Sequence, residues 1–290
     1  MKVAIIGAGR MGAAMAGRLR ASGAEVVIHN RTPARAEAVA AASGAAVAAT
    51  PAEAAAAAPV VLVSLADDAA CTSTYDGPDG IAAGAGPRAV VVETSTIDPQ
   101  TVDRLAALFE GRDVGFLDAP VSGSVPLVER GELTVMVGGD EADLARVRDV
   151  LDVLAKRVFH VGARGAGATI KLAVNDIVHA TNQALAEALV LAEKAGVERA
   201  AAYEVFANSA VASPFVLYKR DAFERPDEAP VAFSLDLVAK DYALIVALAE
   251  RVGAVMDQAA TGRRTAMAAV EAGLGGRDMS ALAELFRSPR

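Results

Sequence analysis

Lys171 stands inside GAGATIKLAVND, residues 165–176, with no charged neighbour back to Arg164 and none ahead until Asp176. After Asp176 nothing is charged until Glu187. A lone cation in so apolar a stretch snorkels to water, pairs with a distant carboxylate, or is kept for chemistry. Asn175 follows four residues on, so a helix puts the two on one face. An ammonium beside a carboxamide can protonate and orient a carbonyl oxygen. His179 extends the stripe by another turn, and packing is the simpler reading for it.

A second chemistry lies at the other end of the chain. Gly7-Ala8-Gly9-Arg10-Met11-Gly12 follows the β-rich run KVAII and opens the helical pattern RMGAAMAGRLRASG. Gly7 permits a tight turn, Gly9 lets a pyrophosphate approach the backbone, and Gly12 lets helix and strand pack closely. The amides at Arg10 and Met11 then face the phosphates with the positive end of the helix behind them. The bland alternative is a plain glycine turn. The next β-rich run ends in Asn30-Arg31-Thr32, where an acid would meet a free ribose 2′-hydroxyl. A guanidinium and a hydroxyl suit a 2′-phosphate instead. NADP(H) is therefore expected over NAD(H), with a solvated loop arginine as the other reading of Arg31. The same three residues form a glycosylation sequon, without meaning in a cytoplasmic chain. Residues 162–169 come near a nucleoside-triphosphate loop, but Ala168 stands where its lysine would be, so that reading fails.

These residues need a frame to hold them. The β-rich runs KVAII, EVVIH, VVLVS, AVVVE, VGFLD, TVMVG and RVFHV occupy residues 2–162, with helical segments between the early ones. Continuous Val/Ile/Leu runs predict a mostly parallel sheet buried on both faces, with helices on both sides. The Ala-rich stretch 38–58 reads as two helices around a short strand, broken by Pro51 and Pro59. No β-like run follows Gly162. Helices are predicted over about 165–194, 198–209, 214–221, 235–252, 256–272 and 278–286. The first would be about 45 Å long at helical rise. The fold class is thus α/β: a Rossmann-type dinucleotide-binding domain over 1–162 and an all-α domain over 163–290, joined by a long interdomain helix.

Composition narrows the function classes. The chain has 290 residues, 53% of them hydrophobic, and a net charge of −8, with a sequence pI near 5.0. An acidic chain without a Lys/Arg run argues against nucleic-acid or membrane-surface partners. Cys71 is the only cysteine, so no intrachain disulfide can form, and the single thiol fits a reducing compartment. The N-terminal apolar run is too short for a signal-peptide core, and no stretch has the ~18 strongly apolar residues that span a bilayer. A cytoplasmic protein is expected. His29, His160, His179 and Cys71 make no zinc spacing, so no metal is expected.

Four motifs in order resemble the β-hydroxyacid dehydrogenases, the group of 3-hydroxyisobutyrate dehydrogenase, tartronate semialdehyde reductase and glyoxylate/succinic semialdehyde reductase. IIGAGRMGAAMAGRL resembles the cofactor signature, and DAPVSGS (118–124) the substrate loop. GAGATIKLAVND resembles the segment of the catalytic lysine, and KDYALI (240–245) the C-terminal Lys-Asp motif. The resemblance spans nearly the whole chain. It implies Lys171 as general acid/base and Asn175 as a holder of the substrate oxygen or carboxylate. It implies Ser122 and Gly123 at the carboxylate, Thr96 beside the nicotinamide, and Leu65 and Ala66 over the cofactor. Lys240 would contact cofactor or substrate, and Phe233 would line the substrate pocket.

Departures bear on the substrate. Ser124 replaces the usual second glycine, Asp176 a common second asparagine, and Val125-Pro126-Leu127 is bulkier than usual. Ser124 with Asn30-Arg31-Thr32 leans toward the glyoxylate/succinic semialdehyde reductase branch. The expected activity is hydride transfer between NADP(H) and a small β-hydroxy acid, semialdehyde or 2-oxo acid, a small carboxylate in each case. The rivals are a non-catalytic NADPH-binding scaffold and an imine reductase-like enzyme; the latter generally lacks the lysine. A sugar-phosphate dehydrogenase would need a larger helical domain. Apolar helices such as ATNQALAEALVLAEKAG predict a homodimer or homotetramer through the helical half.

Overall fold

The computed structural model describes residues 1–287, and the chain divides into two compact units, residues 1–171 and 172–290. The first unit is built on a nine-stranded sheet. Its strands are β1 (Lys2–Ile6), β2 (Glu25–His29), β3 (Ala46–Val47), β4 (Val60–Val63), β5 (Ala89–Glu93), β6 (Val114–Asp118), β7 (Val121–Ser122), β8 (Leu133–Gly138) and β9 (Ala155–Gly162). The order is β3-β2-β1-β4-β5-β6-β8-β7, and β9 pairs with β8. Strands β3 to β6 along that path are all parallel, and β8 runs antiparallel to β6 and β7. The path of the chain reverses between β1 and β4, which makes their carboxyl ends the place for a ligand crevice.

Why this sheet forms is visible in its alternation. Val3, Ile5, Leu62 and Val92 enter one apolar core, while Ala4, Ile6, Val63 and Val91 enter another on the opposite face. The first core is closed by Met15, Ala16 and Leu19 of the helix Arg10–Ala21 and by Val147, Leu151 and Leu154 of Glu141–Leu154. The second is closed by Val102 and Leu105 of Pro99–Ala107, with Cys71 and Tyr75. Each large side chain so buried contributes roughly 1.5–3 kcal/mol. Both faces are therefore covered, as the Val/Ile/Leu runs require. The two-residue strand β7 was not expected, because a pairing so short leaves no periodicity to read. Strand β3 lies where a short strand between two helices was expected.

The second unit is helical. Its helices are Arg199–Ala207, Pro214–Tyr218, Arg220–Glu224, Leu235–Val252, Asp257–Ala269 and Leu282–Arg287, together with most of Ala166–Lys194. The expected helix 214–221 is broken at Lys219. That side chain is buried and donates to both carboxylate oxygens of Asp278, at 2.6 and 2.8 Å. Asp278 also accepts the amides of Ala232, Phe233 and Ser280, so one carboxylate organises three segments. The helix expected over 256–272 ends at Ala269 in a wider turn, Val270–Leu274, where Gly273 takes φ 83°. The segment expected over 278–286 begins instead as a short 3-10 turn, Met279–Ala281. Among the described residues no helix is long and apolar enough to cross a membrane.

The helix Ala166–Lys194 has two contrasting faces. Leu172, Asn175, His179, Asn182, Ala186 and Leu189 are buried. Ile170, Ile177, Ala184 and Leu191, seven residues apart, are exposed, and Ile177 and Leu191 keep 68% and 72% of their surface. A seven-residue spacing of apolar residues is the pattern by which one helix meets another.

Candidate active site

The glycine loop joins β1 to the helix Arg10–Ala21. Gly7 has φ 110°, open to glycine, and a β-carbon there would stand 2.1 Å from the Ser64 carbonyl oxygen. A β-carbon on Gly12 would stand 1.9 Å from the Gly7 oxygen, whereas nothing lies within 4 Å of one on Gly9. Two glycines thus let the chain pack on itself and the third leaves the loop open outward. The helix has Gly9 at its N-cap, with no side-chain cap and no acid in its first turn. Its first amides are offered to an outside anion. The residues fit a dinucleotide pyrophosphate on these grounds.

Asn30 ties the next loop to this one. Its Oδ1 accepts the Ala8 amide at 3.0 Å and its Nδ2 donates to the Thr32 carbonyl at 3.0 Å. Its side chain is thereby committed to the backbone, while Arg31 and Thr32 beside it are exposed. Arg35, which sequence reasoning missed, lines an open groove with Ala8, Gly9, Arg10, Ala38 and Val39. Its signal was its position in the first turn of Pro33–Ser43, close after Arg31.

The ends of β4 and β5 carry Leu65, Ala66 and Thr96. The Leu65 amide donates to Ser95 Oγ at 2.8 Å, and the Ser95 amide donates to Glu93 Oε1 at 2.8 Å. Tyr75 donates its hydroxyl to Glu93 Oε2 at 2.9 Å. A buried carboxylate therefore anchors the loop that leads to Thr96. Burial pushes the Glu93 carboxyl up to about 7, against the hydrogen bonds from Ser95, Tyr75 and Cys71 that favour its ionised form. Burial, reinforced by the Glu93 charge, raises the Cys71 thiol far above its ordinary value.

In the substrate-loop motif, Val121 and Ser122 form β7 against Val135 and Thr134. Gly123 takes φ 140°, and a β-carbon there would stand 2.7 Å from Leu133 Cδ2. Ser124 becomes the N-cap of the helix Val125–Arg130, whose Pro126 lies in the first turn, where the missing amide hydrogen matters least. The bulky departure Val125-Pro126-Leu127 is thus the start of a helix, and Leu127 packs against the sheet core.

Lys171 is half-buried, one turn before Asn175 on the long helix. Asn175 is buried and donates from Nδ2 to Asp241 Oδ2 at 2.6 Å. A carboxylate only accepts, so this contact fixes which way the amide faces and turns Oδ1 away. His179 Nε2 stands 3.2 Å from the same oxygen, and Lys240 Nζ lies 2.9 Å from Oδ1. Burial works to raise the Asp241 carboxyl, but the His179 ring and the Lys240 ammonium bring it down to about 2. The His179 ring packs against Phe233 and Tyr242, with centroids 5.6 and 5.4 Å away. Asp241 therefore gathers Asn175, Lys240 and, through His179, Phe233. Asp241 itself was missed, although the Lys-Asp motif contains it.

Glu93 yields a pH prediction. Its folded value near 7 lies above the ordinary 4.5, so the folded state holds a proton that the unfolded chain has lost between those two values. The associated stability is fully present below about pH 4.5 and is lost as pH rises through about 7, at up to ~1.4 kcal/mol per pH unit. Facing Glu93 are Tyr75, Cys71 and Ser95, none of which titrates in that window on its own. Glu93→Gln removes the proton. Urea denaturation of both proteins at pH 4.5 to 8 should show wild type losing a few kcal/mol relative to the variant. A constant difference across the range would refute the assignment.

The family description "NAD binding domain of 6-phosphogluconate dehydrogenase" matches residues 2–162, and "NAD-binding of NADP-dependent 3-hydroxyisobutyrate dehydrogenase" matches residues 165–286. The glyoxylate/succinic semialdehyde reductase 1 of Arabidopsis thaliana is 31% identical over 290 residues, covering all of both chains. The 2-(hydroxymethyl)glutarate dehydrogenase of Eubacterium barkeri is 30% identical over 99% of this chain and 95% of its own. A solved structure of 3-hydroxyisobutyrate dehydrogenase from Mycobacterium tuberculosis with L-serine superposes with a TM-score of 0.85, at 31% identity and 99% coverage of each chain. With a cofactor-domain match over more than half its length, a helical-domain match over nearly all the rest, and relatives that align end to end, the chain belongs to the β-hydroxyacid dehydrogenase family of NAD(P)-dependent oxidoreductases.

Proposed function

We propose that this protein is an NADP(H)-dependent oxidoreductase acting on a small β-hydroxy acid, semialdehyde or 2-oxo acid, with Lys171 as its general acid/base. The observation that carries the reading is the pair Lys171 and Asn175, one turn apart on the long helix, with Asn175 held by the ionised Asp241. The relatives named above, a semialdehyde reductase and two hydroxyacid dehydrogenases, support the substrate class. The two functional domains are taken as 1–162 and 163–290.

When bound, the nicotinamide supplies the hydride in reduction and takes it in oxidation. The amides of the Gly7–Gly12 loop, with Arg10 and Met11, hold the pyrophosphate. Arg31 and Thr32 read the 2′-phosphate, Asn30 holds their loop, and Arg35 adds a second guanidinium nearby. Leu65, Ala66 and Thr96 border the nicotinamide side, and Lys240 contacts cofactor or substrate. Ser122, Gly123 and Ser124 take the substrate carboxylate, with Phe233 lining the pocket. The Lys171 ammonium donates its proton from Nζ to the carbonyl oxygen in reduction. In oxidation the neutral amine takes the hydroxyl proton.

The exposed repeat Ile170, Ile177, Ala184 and Leu191 supports a homodimer or homotetramer through the helical half. The reading places the protein in the cytoplasm, where its one thiol, Cys71, stays reduced. Light scattering at micromolar concentration should give a multiple of the 29.5 kDa chain mass. A monomer alone would refute the assembly.

Cofactor choice is tested at Arg31. Arg31→Asp removes a charge-assisted contact of about 1.5–3 kcal/mol, roughly ten- to a hundredfold in affinity. NADPH binding should weaken while NADH binding holds or improves. Equal losses for both would show that Arg31 does not read the 2′-phosphate.

The reaction is tested by a turnover screen with NADPH against glyoxylate and succinic, methylmalonate and tartronate semialdehydes. Tight NADPH binding with no turnover of any of them would favour the scaffold reading. With the best substrate, Lys171→Met should lower kcat by roughly 10²–10⁴ while NADPH binding survives. Turnover within a few-fold of wild type would refute the lysine's role.

A further inference from the structure

The helix that carries Lys171 begins with a difficulty. Gly165, which immediately precedes it at φ 86°, has no side chain to satisfy the first-turn amides. The acceptor comes from elsewhere in the sequence. Asp118, at the end of β6, accepts the Gly165 amide on Oδ1 at 2.9 Å and the Ala168 amide on Oδ2 at 2.8 Å. Both carboxylate oxygens are thus committed to the helix start, and the residue is 1% exposed. The fit is close. A β-carbon on Gly167 would stand 2.5 Å from the Asp118 carbonyl oxygen, and one on Gly138 would stand 2.5 Å from Asp118 Oδ1. Glycine at both places lets helix, β6 and β8 meet around the carboxylate.

The placement bears on chemistry. Gly167 and Ala168 precede Lys171 by four and three residues, so the turn that Asp118 grips lies directly beneath it on the helix surface. Side chains of a helix lean toward its N-terminus, so the position of this turn sets where the Lys171 ammonium can reach. Asp118 is also the first residue of DAPVSGS, four residues before Ser122. One carboxylate therefore fixes the start of the substrate loop and the start of the lysine helix. Burial raises the Asp118 carboxyl, and the helix amides pull against it, which is the signature of a charge kept where desolvation opposes it.

We propose that Asp118 is a positioning residue, a cap from a distant strand that holds Lys171 in register with the substrate loop. It touches neither substrate nor cofactor in this role. The proposal rests on the reading of Lys171 as the acid/base, which Lys171→Met tests by itself.

The test is a double-mutant cycle on the full-length protein with NADPH and the best substrate from the screen. Asp118→Asn keeps the shape but turns one acceptor into a donor against an amide. We expect kcat to fall about 10- to 100-fold, with the NADPH dissociation constant changed less than twofold. In the Lys171→Met background the same substitution should change the residual rate less than twofold, because its effect runs through the lysine. Hydrogen exchange should speed up in residues 163–171 and stay unchanged in 175–190. A kcat for Asp118→Asn within twofold of wild type overturns the proposal while leaving the lysine assignment intact. Equal losses in both backgrounds also overturn it, since the residue would then act on the fold at large. If Asp118→Asn does not fold, Asp118→Glu keeps the charge and moves it by one methylene. It should give a smaller kcat loss that again vanishes without Lys171, and an additive loss counts against the proposal in the same way.

Discussion

Gly12 lies so close to the carbonyl of Gly7 that the helix Arg10–Ala21 and strand β1 meet almost backbone to backbone. Much of the first unit follows from that contact. It aims an uncapped helix start outward, at the point where the sheet order reverses between β1 and β4. It also brings Ser64 and Leu65, at the end of β4, against Gly7. The sheet is buried on both faces by apolar side chains, so polar groups collect at its carboxyl edge. Glu93 and Asp118 are cross-strand partners there, both buried; Glu93 accepts the Ser95 amide and the Tyr75 hydroxyl, and Asp118 accepts the amides of Gly165 and Ala168.

The same economy appears in the helical unit. Asp241 and Asp278 are buried carboxylates that each collect several donors. Asp278 breaks a helix at Lys219 and fastens the chain at Ala232 and Phe233. Asp241 orients an amide and attracts a lysine and a histidine. An isolated buried charge would be costly, and these are tolerated because nearly every oxygen is answered. Removing one partner from such a centre exposes the rest to that cost.

Much of this was legible in the sequence for specific reasons. Runs such as KVAII and VVLV announced strands buried on both faces, and the glycines at 7, 9 and 12 announced the turn between strand and helix. Lys171 and Asn175 were legible because helical spacing relates near neighbours. The Asp118 cap was not, because its partners lie 47 and 50 residues away and only the fold brings them together. Glu93 and Asp241 were hidden for the same reason. The break at Lys219 was hidden because a lysine is a good helix former, and nothing local reveals that its ammonium is drawn inward. Strand β7 was too short to leave a pattern.

Cys71 sits in the apolar core beneath β4 and β5, fully shielded, with its thiol kept protonated by burial and by the neighbouring carboxylate. Thiolate is the reactive form, so in the folded protein this thiol offers alkylating and oxidising reagents almost nothing to attack. Whatever labelling occurs must pass through opening of the buried cluster that Cys71 shares with Tyr75, Phe109 and Phe116. The molecule thus carries a built-in clock: the rate at which its only sulfhydryl is trapped measures how often this half of the core breathes.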